Sequence, residues 1–472
     1  MKLIISNRVY LIDAPSYVIS ALRQKYTYQN TKYFILRYLN ISTEPFIKTY
    51  QEAVTNSHHI FSLGIGTLED IIALLQQYNV PYELIDKRHD SNVVLDIKKN
   101  FCLRDYQERL VNELLNSNTG ILCAPCGSGK TVMGLAIIER LKKPTLILVH
   151  TNELLKQWVK EISEKLIFDF KIGICGNGIY QLSYITVALL QALQTLSRND
   201  FNKLNELFSC VIGDECHHYS AVVWGKIFSS LKAKYKYGLT ATIQRTDGLE
   251  FIIYDNISHK IVSINDDELL AHKQIMDVAV EFILSYAFKF EFDPDFHTWT
   301  HLIDLLIKNE ERNLEIANHV VRDVLSGHIV LVLSERISHC KILYELIKRH
   351  VADTELLLGE INSEKRKKII DSVKSKHTKV LIATKNLAAE GLDIPSLSCL
   401  YLATPTKNKF WLKQASGRIR RPFVNKDNVI VKDIVDMSCQ FLRKAAKLRL
   451  KFYKEFKYHI INDFTAQLKL KL

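Results

Sequence analysis

The nine residues from Cys123 to Thr131, with the sequence Cys-Ala-Pro-Cys-Gly-Ser-Gly-Lys-Thr, constrain the fold of this chain more than any other stretch. Two glycines in so short a loop allow left-handed backbone conformations and a close approach of successive N–H groups to an oxyanion. The apolar run 120–122 before the loop predicts a strand, and apolar residues at helical spacing after it predict a helix. The N-terminus of that helix would point at the bound anion. We therefore expect a strand–loop–helix unit that holds phosphate.

The residue types in this loop suit a nucleoside triphosphate. Lys130 supplies a positive charge for the β- and γ-phosphates, and the Thr131 hydroxyl is a ligand for Mg²⁺. Ala124 stands where the simplest form of the pattern has glycine, and its small side chain is tolerated there. ATP and Mg²⁺ are thus the predicted cofactors, since a chance glycine-rich turn does not explain the flanking strand and helix. The predicted nucleotide-binding loop comprises Ala124, Pro125, Cys126, Gly127, Ser128, Gly129, Lys130 and Thr131.

A second chemical signal lies downstream, where the apolar run 210–213 ends in two adjacent acids, Asp214 and Glu215. Consecutive carboxylates at the end of a strand can point in different directions, so Asp214 can reach Mg²⁺ while Glu215 orients and deprotonates the attacking water. Phosphoryl transfer to water needs these two roles, because the protein contributes mainly positioning and charge neutralisation. A lone Asp-Glu pair is more often a solvated turn, but the phosphate loop upstream favours the catalytic interpretation.

In this order the motifs resemble those of superfamily 2 DExH-box DNA helicases and translocases. Residues 214–217 are similar to the DExH box, and the Thr-Ala-Thr at 240–242 is similar to the motif that couples hydrolysis to domain movement. The extension of the latter through residues 245–248 is closer to the XPB-like branch than to DEAD-box RNA helicases, and the N-terminal segment is similar to that of phage UvsW-like branch-migration helicases. The resemblance implies coupling roles for His217, Thr240 and Thr242.

The same resemblance implies an adenine site and a path for nucleic acid. Residues 103–107 resemble the adenine-binding element ahead of the phosphate loop, which includes Arg104, and the Gln107 amide has the geometry to pair with an adenine edge. The stretches 146–154 and 185–193 are similar to motifs that contact mainly backbone phosphates, so binding would be largely independent of base sequence. The implied nucleic-acid contacts are His150, Thr151, Asn152, Gln191 and Thr384.

The second half of the chain carries two further motifs of this family. Residues 380–395 resemble motif V, which implies that Gly391 and Asp393 contribute to nucleotide binding. The resemblance as a whole covers about residues 101 to 435, with the motifs in the family's order. It therefore implies two lobes that close on ATP and open after hydrolysis.

Residues 414–421 fit the Q-x-x-G-R-x-x-R pattern of motif VI. Arg418 and Arg421 are three residues apart, so on a helix they would share one face, and as arginine fingers they would reach the γ-phosphate held by the other domain. Gln414 is the first residue of the same motif and is expected to act with them. We expect Arg420, on another face, to be a solvated surface charge.

The alternation of predicted strands and helices favours an α/β fold with parallel sheets. We expect two RecA-like parallel-sheet motor domains in tandem, preceded by a small α+β N-terminal domain and followed by a basic helix. Within the N-terminal domain, we expect a hairpin over 3–12, a helix over 15–25, and a helix from Thr67, as its N-cap, to Tyr78. The expected domains are a nucleic-acid recognition domain over 1–97, the ATP-binding motor domain over 98–262, the C-terminal motor domain over 263–440 and the basic C-terminal helix over 441–472.

An aromatic stretch near the start of the second motor domain has two interpretations. Tyr286, Phe288, Phe290 and Phe292 keep a period of two, which predicts a strand with one buried face. The alternative is that these rings, together with Phe296, stack on bases. The strand is the preferred interpretation.

The C-terminal helix alternates basic and apolar residues at helical spacing. We expect its apolar face to pack on the second motor domain and its basic face, which includes Arg449, to contact the phosphate backbone. A merely solvated basic face and a membrane-surface helix are the alternatives. The expected apolar positions are Leu442, Ala446, Leu450 and Tyr453.

Composition and charge agree with an enzyme that acts on nucleic acid inside a cell. The formal net charge of +12 favours a polyanionic partner once the motifs point to nucleic acid. No run approaches the ~20 apolar residues of a transmembrane helix, and the N-terminal run is too short for a signal peptide. Nine cysteines, odd in number, predict reduced thiols, and Cys123 with Cys126 lack a second pair for zinc. We expect a cytoplasmic location, and the Lys-, Asn- and Ile-rich composition is typical of AT-rich genomes such as those of phages and viruses.

The leading hypothesis is an ATP hydrolase, a DNA helicase or translocase that unwinds or remodels forks and junctions in recombination, repair or replication. Its expected partner is duplex or branched DNA, with RNA as the alternative, and its expected state is a monomer. An RNA helicase or transcription-release factor, or the motor subunit of a restriction or defence complex, would use the same motor. A nucleotide-gated clamp with negligible turnover is disfavoured, because Lys130, Glu215 and both motif VI arginines are present.

Overall fold

The computed structural model describes residues 1–31, 33, 43–55, 57–125, 127–217, 221–243, 248–385, 387 and 394–465. The chain forms two compact units, the first comprising residues 1–125 and 129–265 and the second residues 126–128 and 266–472. Each unit contains one large, mainly parallel sheet.

Helices and strands alternate through most of both units. The α-helices are α1 (Ser16–Lys25), α2 (Leu68–Gln77), α3 (Asp105–Leu115), α4 (Lys130–Leu141), α5 (Asn152–Lys165), α6 (Leu190–Gln194), α7 (Arg198–Leu207), α8 (Ala221–Ser230), α9 (Glu250–Asn256), α10 (Asp266–Ala271), α11 (Trp299–Leu306), α12 (Glu310–Leu325), α13 (Ile337–Lys348), α14 (Ser363–Lys374), α15 (Lys409–Gly417) and α16 (Gln440–Glu455). The strands are β1 (Lys2–Ile5), β2 (Arg8–Ile12), β3 (Thr27–Gln29), β4 (Phe46–Lys48), β5 (Gln51–Thr55), β6 (His58–Gly64), β7 (Glu83–Asp86), β8 (Lys98–Lys99), β9 (Thr119–Cys123), β10 (Thr145–Val149), β11 (Leu166–Ile167), β12 (Gly173–Gly176), β13 (Ile179–Gln181), β14 (Ile185–Leu189), β15 (Cys210–Asp214), β16 (Tyr235–Thr240), β17 (Ile261–Ser263), β18 (Ala279–Ser285), β19 (Val330–Ser334), β20 (Thr354–Leu357), β21 (Val380–Thr384), β22 (Cys399–Leu402), β23 (Ile430–Asp436) and β24 (His459–Ile460).

The chain begins with a small α+β layer. Strands β1 and β2 pair antiparallel, which confirms the predicted hairpin, and β7 pairs parallel to β1 in a sheet of order β5-β6-β2-β1-β7. Both predicted helices are present, as α1 and α2. Thr67 occupies the N-cap position of α2, but its hydroxyl donates to the Gly64 carbonyl oxygen at 2.8 Å and makes no capping bond. Since Thr67 is fully buried, its hydroxyl uses the nearest backbone acceptor.

Two glycines let this layer pack directly on the helix α9 of the same unit. A Cβ at Gly64 would lie 2.0 Å from the carbonyl oxygen of Asp255, and a Cβ at Gly66 would lie 1.9 Å from that of Tyr254. No larger residue fits at either position unless backbone moves. The Asp255 carboxylate is buried at this contact and accepts a hydrogen bond from the Tyr28 hydroxyl at 3.3 Å. The N-terminal layer is therefore closely joined to the sheet that follows it.

The large sheet of the first unit has the order β13-β12-β14-β10-β15-β16-β9-β17, and every pairing in it is parallel except that of the edge strand β13. Strands β10 and β15 are buried along their whole length, as expected where helices cover both faces of a parallel sheet. The loops after β9, β15 and β16 leave from the same carboxyl edge, where α/β sheets bind ligands. This edge carries the predicted phosphate loop, the DExH box and the Thr-Ala-Thr motif.

The second unit contains a seven-stranded sheet of order β20-β21-β19-β22-β23-β18-β24 in which all pairings are parallel. Apolar clusters cover both of its faces. The predicted fold class is thus confirmed. The chain contains a small α+β layer, two parallel α/β sheets in tandem and a C-terminal basic helix. None of the helices in the described ranges combines the length and apolar character that crossing a bilayer requires.

The basic C-terminal helix is α16, and the four predicted apolar positions are buried. The prediction that Arg449 lies on its basic face is wrong. Arg449 is 1% exposed, and its guanidinium donates to the Asp433 carboxylate at 2.7 and 2.8 Å. The reason is helical geometry, since position 449 is three residues after Ala446 and four before Tyr453, on the stripe that faces the sheet. After α16 the short strand β24 pairs with β18.

The predicted strand over the aromatic residues 286–292 is also wrong. Strand β18 ends at Ser285, and residues 286–298 form an irregular segment. Phe288 is buried in a small cluster with α11 and the start of α16, whereas Tyr286 is 44% exposed. A segment whose side chains alternate with a period of two forms a strand only when a neighbouring strand pairs with it. Here the aromatic side chains pack against helices instead.

Candidate active site

The phosphate loop has the backbone that its glycines predict. Gly127 and Gly129 have φ values of +88° and +81°, in the left-handed region that favours glycine. The helix α4 begins at Lys130, directly after Gly129, so its free N–H groups face the loop. A Cβ at Gly129 would lie 2.4 Å from Nε2 of Gln107, so a larger residue there would also displace the Gln107 amide.

Lys130 is held above the loop by two contacts. Its ammonium donates to the Ala124 carbonyl oxygen at 3.1 Å and lies 3.5 Å from Oε1 of Glu215. Thr131 is the second residue of α4, on the first turn of the helix. The loop after β9 and the acid after β15 therefore meet at one point, with a cation between a backbone carbonyl and a carboxylate.

The two acids of the DExH box point in different directions because the chain bends between them. Asp214 is the last residue of β15, and Glu215 has a φ of +47°, which is uncommon for a residue with a side chain. Such strained conformations cluster at functional sites. The bend leaves Asp214 4% exposed under the loop and brings Glu215 to Lys130 and to His217, whose Nδ1 lies 3.4 Å from Oε2 of Glu215.

Asp214 is a buried carboxylate with two hydrogen-bond donors. The Trp158 indole N–H donates to Oδ2 at 2.8 Å, and the Glu215 backbone N–H donates to Oδ1 at 2.9 Å. Burial, and then the nearby Glu215 charge, raise the pKa of Asp214 to about 6. A carboxylate with this environment gains from a cation, and carboxylate and hydroxyl oxygens, as supplied by Asp214 and Thr131, are the donor types that Mg²⁺ uses. The residues present therefore fit Mg²⁺ and a triphosphate.

Trp158 is a site residue that sequence reasoning missed. It lies on α5, is fully buried, and its ring fills the space where a Cβ at Gly134 would lie 2.6 Å from Cη2. Its position in the sequence, among the apolar residues of an amphipathic helix, is typical of a core side chain. Only the three-dimensional structure shows that its N–H reaches the DExH box.

The three predicted coupling residues form one hydrogen-bonded group. The Thr240 hydroxyl donates to the Thr242 carbonyl oxygen at 2.5 Å, and Nδ1 of His217 lies 2.7 Å from the same hydroxyl oxygen. Because the hydroxyl hydrogen is directed to Thr242, the proton between His217 and Thr240 belongs to Nδ1 of the imidazole. The DExH box is in this way bonded to the end of the neighbouring strand β16, and the coupling role of these residues stays a prediction.

Gln107 and Arg104 lie at the start of α3 beside the phosphate loop. The Arg104 backbone N–H donates to Oε1 of Gln107 at 3.0 Å, and the Gln107 side chain is buried. The Arg104 guanidinium donates to the Tyr106 hydroxyl at 3.2 Å. Gln107 thus supports the helix start and lies against Gly129. The adenine contacts of both residues stay a prediction.

The predicted nucleic-acid residues of the first unit lie after β10 and β14, which are adjacent parallel strands. The Gln191 amide donates to the His150 carbonyl oxygen at 3.1 Å, so the two motifs are joined. The Thr151 hydroxyl accepts from the Leu154 N–H at 3.2 Å and caps α5, whose first residue is Asn152. These residues continue the carboxyl edge that carries the phosphate loop.

In the second unit, motif VI only partly matches the prediction. Gln414 is on α15, but that helix ends at Gly417, so Arg418 is its C-cap and Arg421 lies beyond it. The prediction of a shared helical face is therefore wrong. The chain turns through N–H bonds to the third residue back, such as Arg418 to Ala415 at 3.2 Å, and Pro422 disfavours helix at Arg421. Thr384, the remaining predicted nucleic-acid residue, is the last residue of β21.

The prediction that Arg420 is a solvated charge is also wrong. It is 4% exposed, its Nε donates to the Met276 carbonyl oxygen at 3.0 Å, and its guanidinium is paired with Asp266. Because the helix ends early, position 420 turns inward instead of continuing along a surface face. Three predicted nucleotide-site residues, Cys126, Gly391 and Asp393, lie outside the described residues, as do residues 245–247 of the predicted XPB-like extension.

The structure thus brings together most of the predicted site in one unit. Lys130, Asp214 and Glu215 meet there at the carboxyl edge, with His217 and Thr240 directly behind. Gln414, Arg418 and Arg421 form a second group, in the other unit. Across the described residues no cluster of three or more His, Cys, Asp or Glu side chains forms a metal centre of its own.

Two family descriptions match consecutive parts of the chain. The family described as "Type III restriction enzyme, res subunit" matches residues 100–245, and the one described as "Helicase conserved C-terminal domain" matches residues 313–422. The first range contains the phosphate loop and the DExH box, and the second contains motifs V and VI. Together the two ranges cover more than half of the chain. The chain belongs to the superfamily 2 helicases, in the XPB-like branch, and is an ATP-dependent hydrolase of the helicase type.

The similar proteins cover between about two thirds and almost all of the chain. "Probable helicase D10" of Escherichia phage T5 is 26% identical over 447 residues, which are 94% of this chain and 93% of the phage protein. "DNA 3'-5' translocase XPB2" of Sulfurisphaera tokodaii is 24% identical over 364 residues, 69% of this chain and 80% of the archaeal protein. The crystal structure of T4 UvsW aligns with 98% of this chain and 99% of its own at a TM-score of 0.42 and 17% identity.

Proposed function

We propose that this protein is an ATP-driven DNA helicase or translocase that remodels branched DNA, such as forks and junctions, in recombination, repair or replication. The observation that carries the proposal is the meeting of Lys130, Asp214 and Glu215 at the carboxyl edge of the first large sheet. This arrangement supplies a cation for phosphate, a buried acid for a metal and a second acid for water. Those are the parts that hydrolysis of a triphosphate requires.

In this proposal, the loop from Ala124 to Thr131 binds the triphosphate through its backbone N–H groups and Lys130. Thr131 and Asp214 would hold Mg²⁺, which neutralises the charge that develops on the phosphates. In the present structure Glu215 contacts Lys130, so we propose that phosphate replaces Glu215 as the partner of that ammonium. Glu215 is then available to orient the attacking water and accept its proton.

The residues of the second unit complete the proposal. As the family resemblance implies, Arg418 and Arg421 stabilise the charge of the transferring phosphoryl group, and Gln414 assists them. Arginine fingers of this kind accelerate hydrolysis by roughly 10³–10⁵-fold. The hydrogen-bonded group of His217, Thr240 and Thr242 would transmit hydrolysis to the strands that carry the nucleic-acid contacts.

Two observations support DNA as the substrate. A relative that aligns with 69% of the chain carries the description DNA translocase, and the net charge of +12 suits a polyanion. For branched structures the support comes from the N-terminal layer, which packs closely on α9 through Gly64 and Gly66. We propose that this layer recognises the branch point while the motor moves along the duplex.

The test is an ATPase assay on the full chain with single-stranded, duplex, forked and four-way DNA, and with RNA of matched length. We expect forked or four-way DNA to stimulate hydrolysis most, with the Glu215→Gln variant inactive on all of them. Stimulation by RNA and not by any DNA would overturn the proposal in favour of the RNA-directed alternative. Equal stimulation by blunt duplex and branched DNA would leave a duplex translocase, as in a restriction or defence complex, and would remove the branch preference.

A further inference from the structure

The irregular segment after β18 displays a group of aromatic rings that the proposed ATPase mechanism does not use. The Phe292 and Phe441 rings are stacked, with centroids 3.9 Å apart and an angle of 19° between their planes. Trp299 lies 6.1 Å from the Phe441 ring, and His297 lies 5.9 Å from the Phe292 ring. Phe296 directly precedes His297 in the chain. We define the aromatic platform as Phe292, Phe296, His297, Trp299, Lys407 and Phe441.

Lys407 gives the platform a fixed positive charge. Its ammonium lies 4.0 Å from the centroid of the Phe441 ring and 4.8 Å from that of Trp299, within the range of a cation–π interaction. The cation therefore contacts both rings. A platform of rings with a cation beside them is the surface chemistry that single-stranded nucleic-acid sites use.

Phe296 is the most exposed ring of the platform, with 82% of its surface accessible. It is presented by a closed turn, because the Asp293 carbonyl oxygen accepts from the N–H groups of Phe296 at 3.2 Å and of His297 at 2.8 Å. The Asp293 N–H in turn donates to Nδ1 of His297 at 3.0 Å. A large apolar ring held in solvent by such a turn is unfavourable for the free protein, and a stacking partner would remove that cost.

The platform lies at the carboxyl edge of the second large sheet. The predicted nucleic-acid contact Thr384 lies at the same edge. The segment 286–298 follows the carboxyl end of β18, Lys407 follows that of β22, and Phe441 follows that of β23. Thr384 ends β21 on the same edge, because all these strands are parallel. In the sheet order, β22 is two strand spacings from β21 and β18 is four, which is roughly 10 to 19 Å. One nucleic-acid strand can therefore cross both places.

We propose that the aromatic platform binds unpaired bases of a nucleic-acid strand by stacking, and this inference rests on the proposed function. Bases rather than phosphates are the expected occupants, because Asp293 and Asp295 closely precede Phe296 in the chain and repel a phosphate. Every base has a flat face, so the site accepts any sequence. At a branch point it would hold the strand that is not paired while the motor contacts the backbone elsewhere.

The experiment measures equilibrium binding of a fluorescein-labelled single-stranded DNA of about 20 nucleotides to the full chain. The variant is Phe296→Ala, and the matched control is Leu325→Ala, which removes an equally exposed apolar side chain (81%) from α12 in the same unit. A second ligand of the same length, made of abasic nucleotides, keeps the phosphates and lacks the bases. We expect Phe296→Ala to weaken binding of the normal strand by about 5-fold or more. It should leave the abasic strand unaffected, Phe296→Tyr should retain affinity, and Leu325→Ala should bind both ligands as the wild type does.

Three outcomes would overturn the inference. Phe296→Ala could bind both ligands normally, or lose affinity for both equally, which would indicate a phosphate contact. It could also change the assembly state in sedimentation without changing DNA affinity, which would make the platform a protein interface. The ratio of the wild-type to the Phe296→Ala affinity should stay constant as salt is raised, because counterion release belongs to phosphate contacts. Since binding requires no hydrolysis, an absence of DNA-stimulated ATPase would overturn the proposed function while the binding data still decide this inference.

Discussion

The two large parallel sheets use charged side chains in opposite ways. At the edge of the first sheet, Glu215 lies 3.5 Å from Lys130 and 3.4 Å from His217, and all three side chains are 10–15% exposed. Inside the second, the Arg449 guanidinium holds both oxygens of Asp433 at 2.7 and 2.8 Å, with 1% of either side chain exposed. The two sheets have the same architecture. The charged side chains of the first sheet are loosely paired at the edge that binds ligands, whereas those of the second are tightly paired and fully buried.

The contrast between the two sheets indicates where chemistry can occur in such a pair of domains. A bidentate, fully buried ion pair is costly to break, because the partner that remains is an uncompensated charge. Longer ion pairs at an edge are less costly to replace, since water and the ligand can take over the bonds. We therefore expect the loosely paired set to govern activity with little effect on stability, and the tightly paired set to govern stability.

The largest expected effect is on catalysis, at Glu215. Glu215→Gln keeps the size of the side chain and removes the base, so we expect kcat for DNA-stimulated ATP hydrolysis to fall by about 10²–10⁴-fold. The melting temperature should change little, because the contacts of Glu215 with Lys130 and His217 are long and partly exposed. Glu206→Gln, an exposed acid on α7, is the control and should keep full activity. A kcat close to that of the control would show that Glu215 is not the base.

The next effect is on stability, at Arg449. Arg449→Ala leaves Asp433 buried without its cation, and we expect a loss of about 3–5 kcal/mol in the unfolding free energy of the second unit. Chemical denaturation followed by circular dichroism measures it, and Lys447→Ala on the exposed face of the same helix is the control. Replacing the pair by Arg449→Met with Asp433→Leu should recover most of the loss. If Arg449→Ala and Lys447→Ala were equally stable, the contrast between the two sheets would be lost.

The same contrast explains what the sequence could predict. The phosphate loop and the two acids of the DExH box were found because their chemistry is local and each follows a strand, so the carboxyl edge of a parallel sheet brings them together. The order of the motifs along the chain indicates the helicase family. For these residues a short stretch of chain contains all the information that is needed.

Several of the errors involve a partner outside the local stretch of sequence. Arg420 is paired with Asp266, and Arg449 with Asp433, so both basic residues are buried where their neighbours in sequence indicate a surface. Residues 286–292 keep a strand period but find helices to pack on. Trp158 donates to an acid 56 residues away. The burial of Arg449 has a periodic signal, because position 449 lies on the apolar stripe of α16, whereas the other interactions leave none.

A pH dependence is expected from Lys236, a buried cation of β16 in the first sheet. Its ammonium donates to the Phe228 carbonyl oxygen at 3.0 Å, and burial lowers the pKa of Lys236 from 10.5 to about 7. Between these two values the unfolded chain holds a proton that the folded chain has released, so stability rises with pH across this window and the penalty is complete below it. We expect the unfolding free energy of the wild type, relative to Lys236→Met, to increase by roughly 2 kcal/mol from pH 7 to pH 9. The exposed Lys232→Met should show no such trend, and a pH-independent difference for Lys236→Met would contradict the burial argument.

The smallest predicted effect concerns Trp158. It tests whether a buried hydrogen bond sets the pKa and the metal affinity of Asp214. Trp158→Phe keeps a ring beside Gly134 and removes the N–H that Asp214 accepts at 2.8 Å. That hydrogen bond lowers the pKa of Asp214, so its loss raises the pKa further and weakens the carboxylate as a ligand. For a hydrogen bond to a charged group, worth about 1.5–3 kcal/mol at most, we expect the Mg²⁺ concentration for half-maximal ATPase to rise about 3- to 10-fold. The acid limb of the pH–rate profile should move to higher pH.

Trp411→Phe, on α15 of the second unit, is the matched control, because the Trp411 indole N–H also donates to an oxygen, the Lys385 carbonyl at 3.3 Å. That variant should leave both the Mg²⁺ requirement and the acid limb unchanged. If the two tryptophan variants behaved alike, the shift would reflect the loss of any buried indole donor. A shift confined to Trp158→Phe would instead mean that the hydrogen bond from Trp158 to Asp214 sets the affinity of this site for its metal. The buried side chains of the first sheet, unlike those of the second, would then take part in the chemistry.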